Sequence, residues 1–232
     1  MKNKLKKILD KGFIEIIDTL GSDLTVVNAA RVSFGKRKKT VDENDKKLIK
    51  YLIKNKHYSP FRHVMVQFHI KAPEFVMRQM YKHVVGIETT STYATKDHAW
   101  NEISGRYVEI SEEDYYVPDK WREQSINNKQ ASAGFIENQE LVRDRFKQAM
   151  EKVFYEYKLL LKCGVAKEQA RIILPLNIYT EIYWTASFQA IMNFIELRDD
   201  SHAQWEIQEY AKNLKGFMLT EFPIITKIWI NN

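Results

Sequence analysis

Residues 64–70 contain the pattern that most constrains the fold of this chain. Apolar side chains alternate with polar or flexible ones over this segment, at Val64, Val66, Phe68 and Ile70. This period of two predicts a strand with one buried face. Pro73 follows closely and suits the first turn of a helix, so Glu74–His83 is predicted to be helical. The strand therefore needs a layer of other elements packed on its apolar face.

Most of the other periodic segments predict helices rather than strands. Helices are predicted at Ser22–Val32, Val41–Lys56, Asn138–Lys162, Lys167–Leu174, Phe188–Arg198 and Ala203–Phe222. Further strands are predicted at Phe13–Asp18 and Ile178–Trp184. No linker rich in Pro, Gly or Ser divides the 232 residues. We therefore expect a mixed α/β (α+β) fold in which helices dominate, built as a single domain over residues 1–232.

The charge balance and the cysteine content narrow the class of protein. The net charge is +6 and the isoelectric point is near 9.1, which favours an anionic partner such as a nucleotide, a nucleic acid or an acidic membrane. Cys163 is the only cysteine, so no disulfide forms within the chain and a reducing compartment is expected. Because no apolar run approaches the length of a membrane span, we expect a cytoplasmic protein that does not insert into membranes.

Two polar clusters bracket a Thr-rich loop between Arg78 and Tyr107. Arg78, Gln79 and Lys82 lie in the first cluster, on a predicted helix. The second contains Ser104-Gly105-Arg106, which offers a hydroxyl, an accessible backbone amide and a guanidinium. These groups suit a phosphate. The chain has no glycine-rich phosphate loop, so side chains are expected to hold any nucleotide.

A third polar cluster runs from Asn193 to Glu206. If the helix continued through it, Arg198, His202 and Trp205 would share a face. The acids that follow Arg198 could hold its guanidinium by ion pairing, or that guanidinium could stabilise a developing anion. The spacing alone does not choose between these two interpretations.

The histidines give little support for a metal site. His63 and His69 are six residues apart in an extended segment, roughly 20 Å, so they cannot bind one ion together. We therefore predict no metal. His57 stands alone before Tyr58-Ser59-Pro60, a setting more typical of a structural histidine than of a catalytic one.

Several of these segments together resemble the flavin-dependent thymidylate synthase family. The resemblance extends from about Asp10 to Phe222. The matching segments are Asn28–Ser33, Lys56-His57, Arg78-Gln79, Asn101–Tyr107, Ala170–Pro175 and Leu197–Glu206. Six segments in the family's order are far more specific than any single one.

The resemblance implies a fold and a reaction. It implies a helix-rich domain around a small, mostly antiparallel sheet, assembled as a homotetramer with active sites shared between subunits. It implies reductive methylation of dUMP to dTMP, with FAD as cofactor and with 5,10-methylenetetrahydrofolate and NADPH as co-substrates. Separately, the aromatic residues are spread through apolar periodic segments rather than interleaved with Lys and Arg, so no nucleic-acid partner is expected.

The resemblance further assigns roles to individual residues. Arg198 would activate dUMP by stabilising the pyrimidine ionised at N3, and His57 would assist methylene transfer. The residues implied for dUMP binding are Gln79, Lys82, Glu102, Ser104, Gly105, Arg106, Arg171 and Arg198. Those implied for FAD binding are Ser59, Lys82, His83, Glu102, Ser187, Gln189 and Asn193.

The chain departs from the family pattern after His83. Val84 stands where the family has an arginine, and residues 85–100 form an apparent insertion. Lys96 or His98 could supply the missing contact to FAD. Ser187 and Gln189 also replace stronger polar groups of relatives. Two alternatives stay open: a related flavoprotein acting on another uridine nucleotide or on uracil in RNA, and a basic nucleic-acid-binding module.

Overall fold

The computed structural model describes residues 4–83, 98–129 and 131–232. The strands are β1 (Leu5–Ile8), β2 (Gly12–Leu20), β3 (Met65–Pro73), β4 (His98–Glu102), β5 (Arg122–Gln124), β6 (Ser132–Phe135) and β7 (Tyr179–Ser187). The helices are α1 (Asp23–Arg31), α2 (Glu43–Lys54), α3 (Glu74–Met80), α4 (Gln139–Lys162), α5 (Lys167–Ala170), α6 (Phe188–Arg198), α7 (Trp205–Glu221) and α8 (Pro223–Ile230). Short 3-10 helices cover Val32–Phe34, Ser59–His63 and Arg171–Ile173.

Five strands form one antiparallel sheet in the order β1-β2-β3-β7-β4. The central strands β3 and β7 pair along their whole length, from Met65 opposite Ser187 to Pro73 opposite Tyr179. The short strand β4 pairs with the other edge of β7 and places Glu102 opposite Ile182. Strands β5 and β6 form a separate two-stranded hairpin. The β3–β7 pair therefore defines two ends of the sheet, one at Met65 and one at Pro73.

The main core lies on one face of this sheet. The alternating residues Val66, Phe68 and Ile70 are buried and pack with apolar side chains of α1, α2, α6, α7 and α8. A smaller buried cluster joins α4 to α5 through Phe154, Tyr157 and neighbouring residues. The described helices include none that is both long enough and apolar enough to cross a membrane.

Local chemistry explains where several elements begin and end. Asp42 caps α2 by accepting a hydrogen bond from the Asp45 amide, and Asn138 caps α4 in the same way through Leu141. After α4, Gly164 adopts a left-handed conformation with φ of 82°, which ends the helix without steric cost.

The expected mixed fold and antiparallel sheet are confirmed, with differences at the ends of elements. The predicted helix Glu74–His83 ends at Met80, and Ala203–Phe222 begins at Trp205. The predicted helix Lys167–Leu174 is a single α-turn followed by a 3-10 turn. Strands β1, β4, β5 and β6 and helix α8 were not predicted. Residues 98–100, assigned to the inserted loop, belong to β4, and residues 84–97 lie outside the described part.

Candidate functional site

A cleft of about 720 Å³ opens at the Pro73 end of the sheet, where β4 ends and α3 begins. Its polar lining consists chiefly of Glu74, Arg78, Glu102, Ser104, Gly105 and Arg171. The Glu102 carboxylate is held in place because its Oε1 accepts a 2.7 Å hydrogen bond from Thr180 Oγ1 on β7. The structure thus brings together several of the predicted nucleotide-binding residues in one chain.

A tight turn forms one wall of the cleft. The amides of Tyr107 and Val108 both donate to the Ser104 carbonyl, and the Arg106 amide donates to Ser104 Oγ at 3.3 Å. Gly105 is buried against Arg171, and a Cβ at position 105 would lie 3.0 Å from Arg171 Cδ. This glycine therefore lets the turn approach the arginine closely.

Two arginines at this wall carry exposed guanidinium groups. Arg106 Nε lies 3.4 Å from a carboxylate oxygen of Glu168, and both side chains are more than half exposed. An ion pair this exposed contributes little stability, so an anionic ligand can replace the carboxylate at small cost. Arg171 is likewise exposed at the start of its 3-10 turn.

A second cavity of about 540 Å³ adjoins the cleft and shares Glu74, Arg78 and Glu102 with it. Tyr81 and Trp100 line it, with their rings in edge-to-face contact at 5.2 Å. Lys82 lies at its rim and is exposed. The combined space has cationic groups and aromatic walls, which suits a planar anion.

Glu74 is a cleft residue that the sequence analysis missed. Burial raises the pKa of its carboxyl, the nearby Glu102 raises it further, and Arg78 and Arg171 oppose the shift. The available signal was its position directly after Pro73, in the first turn of a helix that carries Arg78.

Arg198 is the last residue of α6 and contacts a histidine rather than an acid. Its Nε donates to His83 Nε2 at 3.1 Å. The two acids that follow Arg198 form ion pairs with other residues, Asp199 with Lys215 and Asp200 with His202. The interpretation in which these acids hold Arg198 is therefore wrong. The prediction that Arg198 shares a helical face with His202 and Trp205 is also wrong, because α6 ends at Arg198 and α7 begins only at Trp205.

The histidine of this pair lies in an apolar setting. His83 is 8% exposed, and its ring meets Phe194 edge-on at 5.1 Å. Burial, together with the positive charge of Arg198, lowers the pKa of His83 to about 4. The imidazole is therefore neutral at physiological pH.

Several predicted flavin-binding residues lie at the opposite, Met65 end of the sheet. Ser59 is exposed on the 3-10 turn that precedes β3. Ser187 is fully buried and accepts from the Ala190 amide as the cap of α6. Gln189 is 6% exposed, and its Oε1 accepts from Arg62 Nε at 2.8 Å. At roughly 3.3 Å per residue, the length of β3 separates this end from the cleft by about 25 Å.

The remaining predicted residues are placed as follows. His57 is exposed before the same 3-10 turn, and Asn193 is half-buried near the middle of α6. The Gln79 amide donates to Phe75 O and to Gln204 Oε1, at 3.3 and 2.9 Å. Val84 and Lys96 lie outside the described residues, and for His98 only the backbone is described. Across the described ranges, no three His, Cys, Asp or Glu side chains are grouped so as to hold a metal ion.

The fold is shared with solved nucleotide-modifying enzymes. A UMP/dUMP methylase, PolB from Streptomyces cacaoi, solved with 5-Br dUMP, matches with a TM-score of 0.82 and 29% identity over 97% of both chains. The same methylase solved with 5-Br UMP matches with a TM-score of 0.79. The chain therefore has the fold of a pyrimidine nucleotide methylase.

Sequence comparisons identify the family within this class. Residues 15–224 match the family model described as thymidylate synthase complementing protein. A flavin-dependent thymidylate synthase of Thermosipho africanus is 43% identical, over 94% of this chain and 90% of its own length. That of Kosmotoga olearia is 42% identical, over 97% and 93%. The chain belongs to the flavin-dependent thymidylate synthase family, whose members are methyltransferases. The resemblance seen in the sequence is confirmed.

Proposed function

We propose that this enzyme methylates dUMP to dTMP, with 5,10-methylenetetrahydrofolate as carbon donor and with FAD that NADPH reduces. The observation that carries the proposal is the cleft at the Pro73 end of the sheet. In one chain it brings the Ser104-Gly105-Arg106 turn and Arg171 beside an oriented carboxylate, Glu102. A relative of the same fold, at 29% identity, is named a UMP/dUMP methylase and was solved with a brominated dUMP.

The phosphate and sugar of dUMP are assigned to the cleft. The exposed guanidinium groups of Arg106 and Arg171 neutralise the phosphate, and Ser104 donates its hydroxyl. Glu102 is assigned to a sugar hydroxyl. Thr180 fixes its Oε1, and its Oε2 accepts a long hydrogen bond of 3.4 Å from Trp100 Nε1 and keeps a second lone pair for a ligand. Lys82 and Gln79 complete this part of the site from the α3 side.

Arg198 is assigned to the pyrimidine. A guanidinium aimed at the ring stabilises the negative charge that forms when N3 loses its proton, and this charge makes C5 more nucleophilic. Arginine suits the task, since it stays protonated and presents a planar fork of donors. His57 is proposed to assist methylene transfer.

The described donors also fit a flavin dinucleotide. His83, Asn193 and Ser59 offer hydrogen-bond donors, and Arg62 and Lys82 offer cations for its phosphates. When bound, the flavin supplies the electrons that reduce the transferred methylene to a methyl group. Gln189 is buried and already accepts from Arg62, so we assign the contact at this position to Arg62. Ser187 is buried and caps α6, so we assign it to stabilising that helix rather than to contacting the flavin.

The function is tested by tritium release from C5-labelled dUMP. The purified protein should be yellow and should release tritium only when methylenetetrahydrofolate and a reductant are both present. Arg198→Ala should abolish release, by a factor of 10³ or more on the scale of lost charge-stabilising groups, while keeping the flavin spectrum. Arg145→Ala, an exposed arginine on α4, is the matched control and should keep full activity.

The open alternatives predict different results. A flavoprotein acting on another uridine nucleotide would be active with labelled UMP or RNA and inactive with dUMP. A nucleic-acid-binding module would be colourless and would bind DNA with a steep dependence on salt. Near-normal turnover of Arg198→Ala would remove this arginine from its assigned role.

The assembly is the one that the family resemblance implies. The homotetramer with shared active sites and the cytoplasmic location are part of the proposal, as is the single domain over residues 1–232.

A further inference from the structure

The hydrogen bond between Arg198 and His83 joins two residues to which the family resemblance gives separate duties. Arg198 was assigned to dUMP and His83 to the flavin. In the structure their side chains meet at 3.1 Å, between Arg198 Nε and His83 Nε2. The two residues are 115 positions apart, so only the fold brings them together.

The direction of this hydrogen bond fixes the tautomer of the histidine. An arginine N–H can only donate, so His83 Nε2 must present its lone pair and the ring proton must lie on Nδ1. The depressed pKa of His83, about 4, agrees with a neutral ring that accepts this bond at physiological pH. A protonated ring would place two donors opposite each other.

We propose that His83 is a positioning residue that holds the guanidinium of Arg198 in the orientation needed to stabilise the dUMP pyrimidine, an inference that rests on the function proposed above. Arginine has several rotatable bonds, and its position at the end of α6 leaves the side chain only partly buried. Anchoring Nε sets the plane of the guanidinium. Among the residues that the structure describes, its terminal nitrogens make no hydrogen bond or ion pair, so they can face a ligand.

The surroundings of His83 keep this anchor rigid. The ring is almost fully buried and packs edge-on against Phe194, which lies one helical turn before Arg198 on α6. Helix α6 therefore supplies both the arginine and the aromatic ring that confines its partner. The Nδ1–H group remains a donor, so the same histidine can contact the flavin while it holds the arginine.

Two substitutions of His83 separate positioning from packing. His83→Phe keeps a flat ring beside Phe194 but removes the acceptor. His83→Gln places an amide oxygen near the position of Nε2 and can accept from Arg198 again. We expect kcat for dUMP, measured per bound flavin, to fall at least tenfold in His83→Phe and to recover to within about threefold of wild type in His83→Gln. A purely structural role would not be rescued by an amide.

A double-mutant cycle on dUMP binding tests whether His83 acts through Arg198. Calorimetric titration of the oxidised, flavin-loaded protein would measure the Kd for dUMP in wild type, His83→Phe, Arg198→Ala and the double variant. We expect His83→Phe to weaken binding several-fold in the wild-type background and to have no further effect once Arg198 is alanine. Additive losses, or unchanged kcat and Kd in His83→Phe, would overturn the proposal.

A spectroscopic measurement keeps the test independent of activity. Nitrogen-15 NMR of histidine-labelled protein should assign His83 to the Nδ1–H tautomer, and the Nε2 resonance should shift in Arg198→Ala. If wild type fails to release tritium from dUMP but shows this signature, the proposed function fails while the Arg198–His83 contact stands. If His83→Phe loses its flavin and the signature is missing in wild type, His83 is only a flavin contact and the inference is wrong.

Discussion

Gly105 shows how a single residue controls the shape of the cleft. Its place in the Ser104–Tyr107 turn is buried, and Arg171 passes so close that a Cβ would lie 3.0 Å from Cδ of that side chain. The neighbouring atom belongs to a flexible side chain, so the protein can adjust by moving Arg171 rather than the backbone.

Gly105→Ala should therefore impair substrate binding more than folding. We expect the KM for dUMP to rise about three- to tenfold, roughly 1 kcal/mol, with kcat nearly unchanged, because the displaced arginine is assigned to ground-state binding. Steady-state kinetics would measure this. Gly216→Ala is the control, since a Cβ there meets nothing within 4 Å and alanine favours the interior of α7. An unchanged KM in Gly105→Ala would contradict the assignment of Arg171.

Arg62 is a second residue whose substitution should have a specific effect, in this case on flavin binding. It is half-buried, and its Nε is held by Gln189, a residue that is itself 6% exposed. We expect Arg62→Ala to weaken flavin retention about ten- to hundredfold, the loss of one charge-assisted contact of 1.5–3 kcal/mol. Flavin absorbance after gel filtration, compared with Arg145→Ala, would measure it. Unchanged retention in Arg62→Ala, with loss in Lys96→Ala or His98→Ala, would favour the inserted loop as the source of the contact.

At the scale of elements, a buried carboxylate joins α1 to α2. Asp45 is fully buried and accepts from Arg31 Nε at 2.7 Å, while Lys38 Nζ lies 2.8 Å from its other oxygen. The Asp42 amide also donates to it. Burial by itself would raise the pKa of Asp45, but hydrogen bonds from Lys38, the Asp42 amide and Arg31, together with the positive charge of Arg31, lower it to about 2.

Asp45→Asn should destabilise the protein and change its response to acid. Leaving Arg31 and Lys38 without their carboxylate should cost about 2–4 kcal/mol of unfolding free energy. Since the folded-state pKa is depressed, the stabilisation by Asp45 is fully present above about pH 4 and is lost as the pH falls towards 2. Urea unfolding at several pH values should therefore show that the difference in unfolding free energy between wild type and variant shrinks below pH 4. Glu43→Gln, which breaks an exposed pair with Lys46, should cost under about 1 kcal/mol at any pH.

At the scale of the whole molecule, the two ends of the sheet carry different parts of the proposed site. The cleft lies at the Pro73 end, whereas Ser59 and Arg62 lie beyond the Met65 end, about 25 Å away along β3. This separation is consistent with an active site that combines residues from more than one subunit.

The proposed sharing of the site between subunits makes two measurable predictions about assembly. Light scattering should give a mass of about 110 kDa, four times the 27.5 kDa of the chain. Mixed tetramers of Arg171→Ala and Arg62→Ala subunits should be more active than either variant alone, because some of their sites combine two unaltered halves. A monomer, or mixtures with no gain, would contradict the shared site.

The sequence by itself determined the central strands β2, β3 and β7, the helices from α1 to α7 and the polar segments of the site. Local periodicity depends only on near neighbours, so the alternation at Val66, Phe68 and Ile70 predicted β3, and Pro73 predicted the start of α3. The turn Ser104-Gly105-Arg106 was also found, because its groups are adjacent in the chain. The family resemblance, which depends on the order of several such segments, identified the enzyme class.

The tertiary structure decided which side chains meet. The partner of Arg198 is His83, 115 residues away, and the partner of Gln189 is Arg62, 127 residues away. Local sequence left open whether Asp199 and Asp200 would hold Arg198 by ion pairing. Proximity in sequence does not predict where the chain goes after α6 ends at Arg198. In the structure Asp199 pairs with Lys215, and Asp200 pairs with His202. Contacts of this kind are set by the packing of segments that are far apart in the sequence, and only the folded chain reveals them.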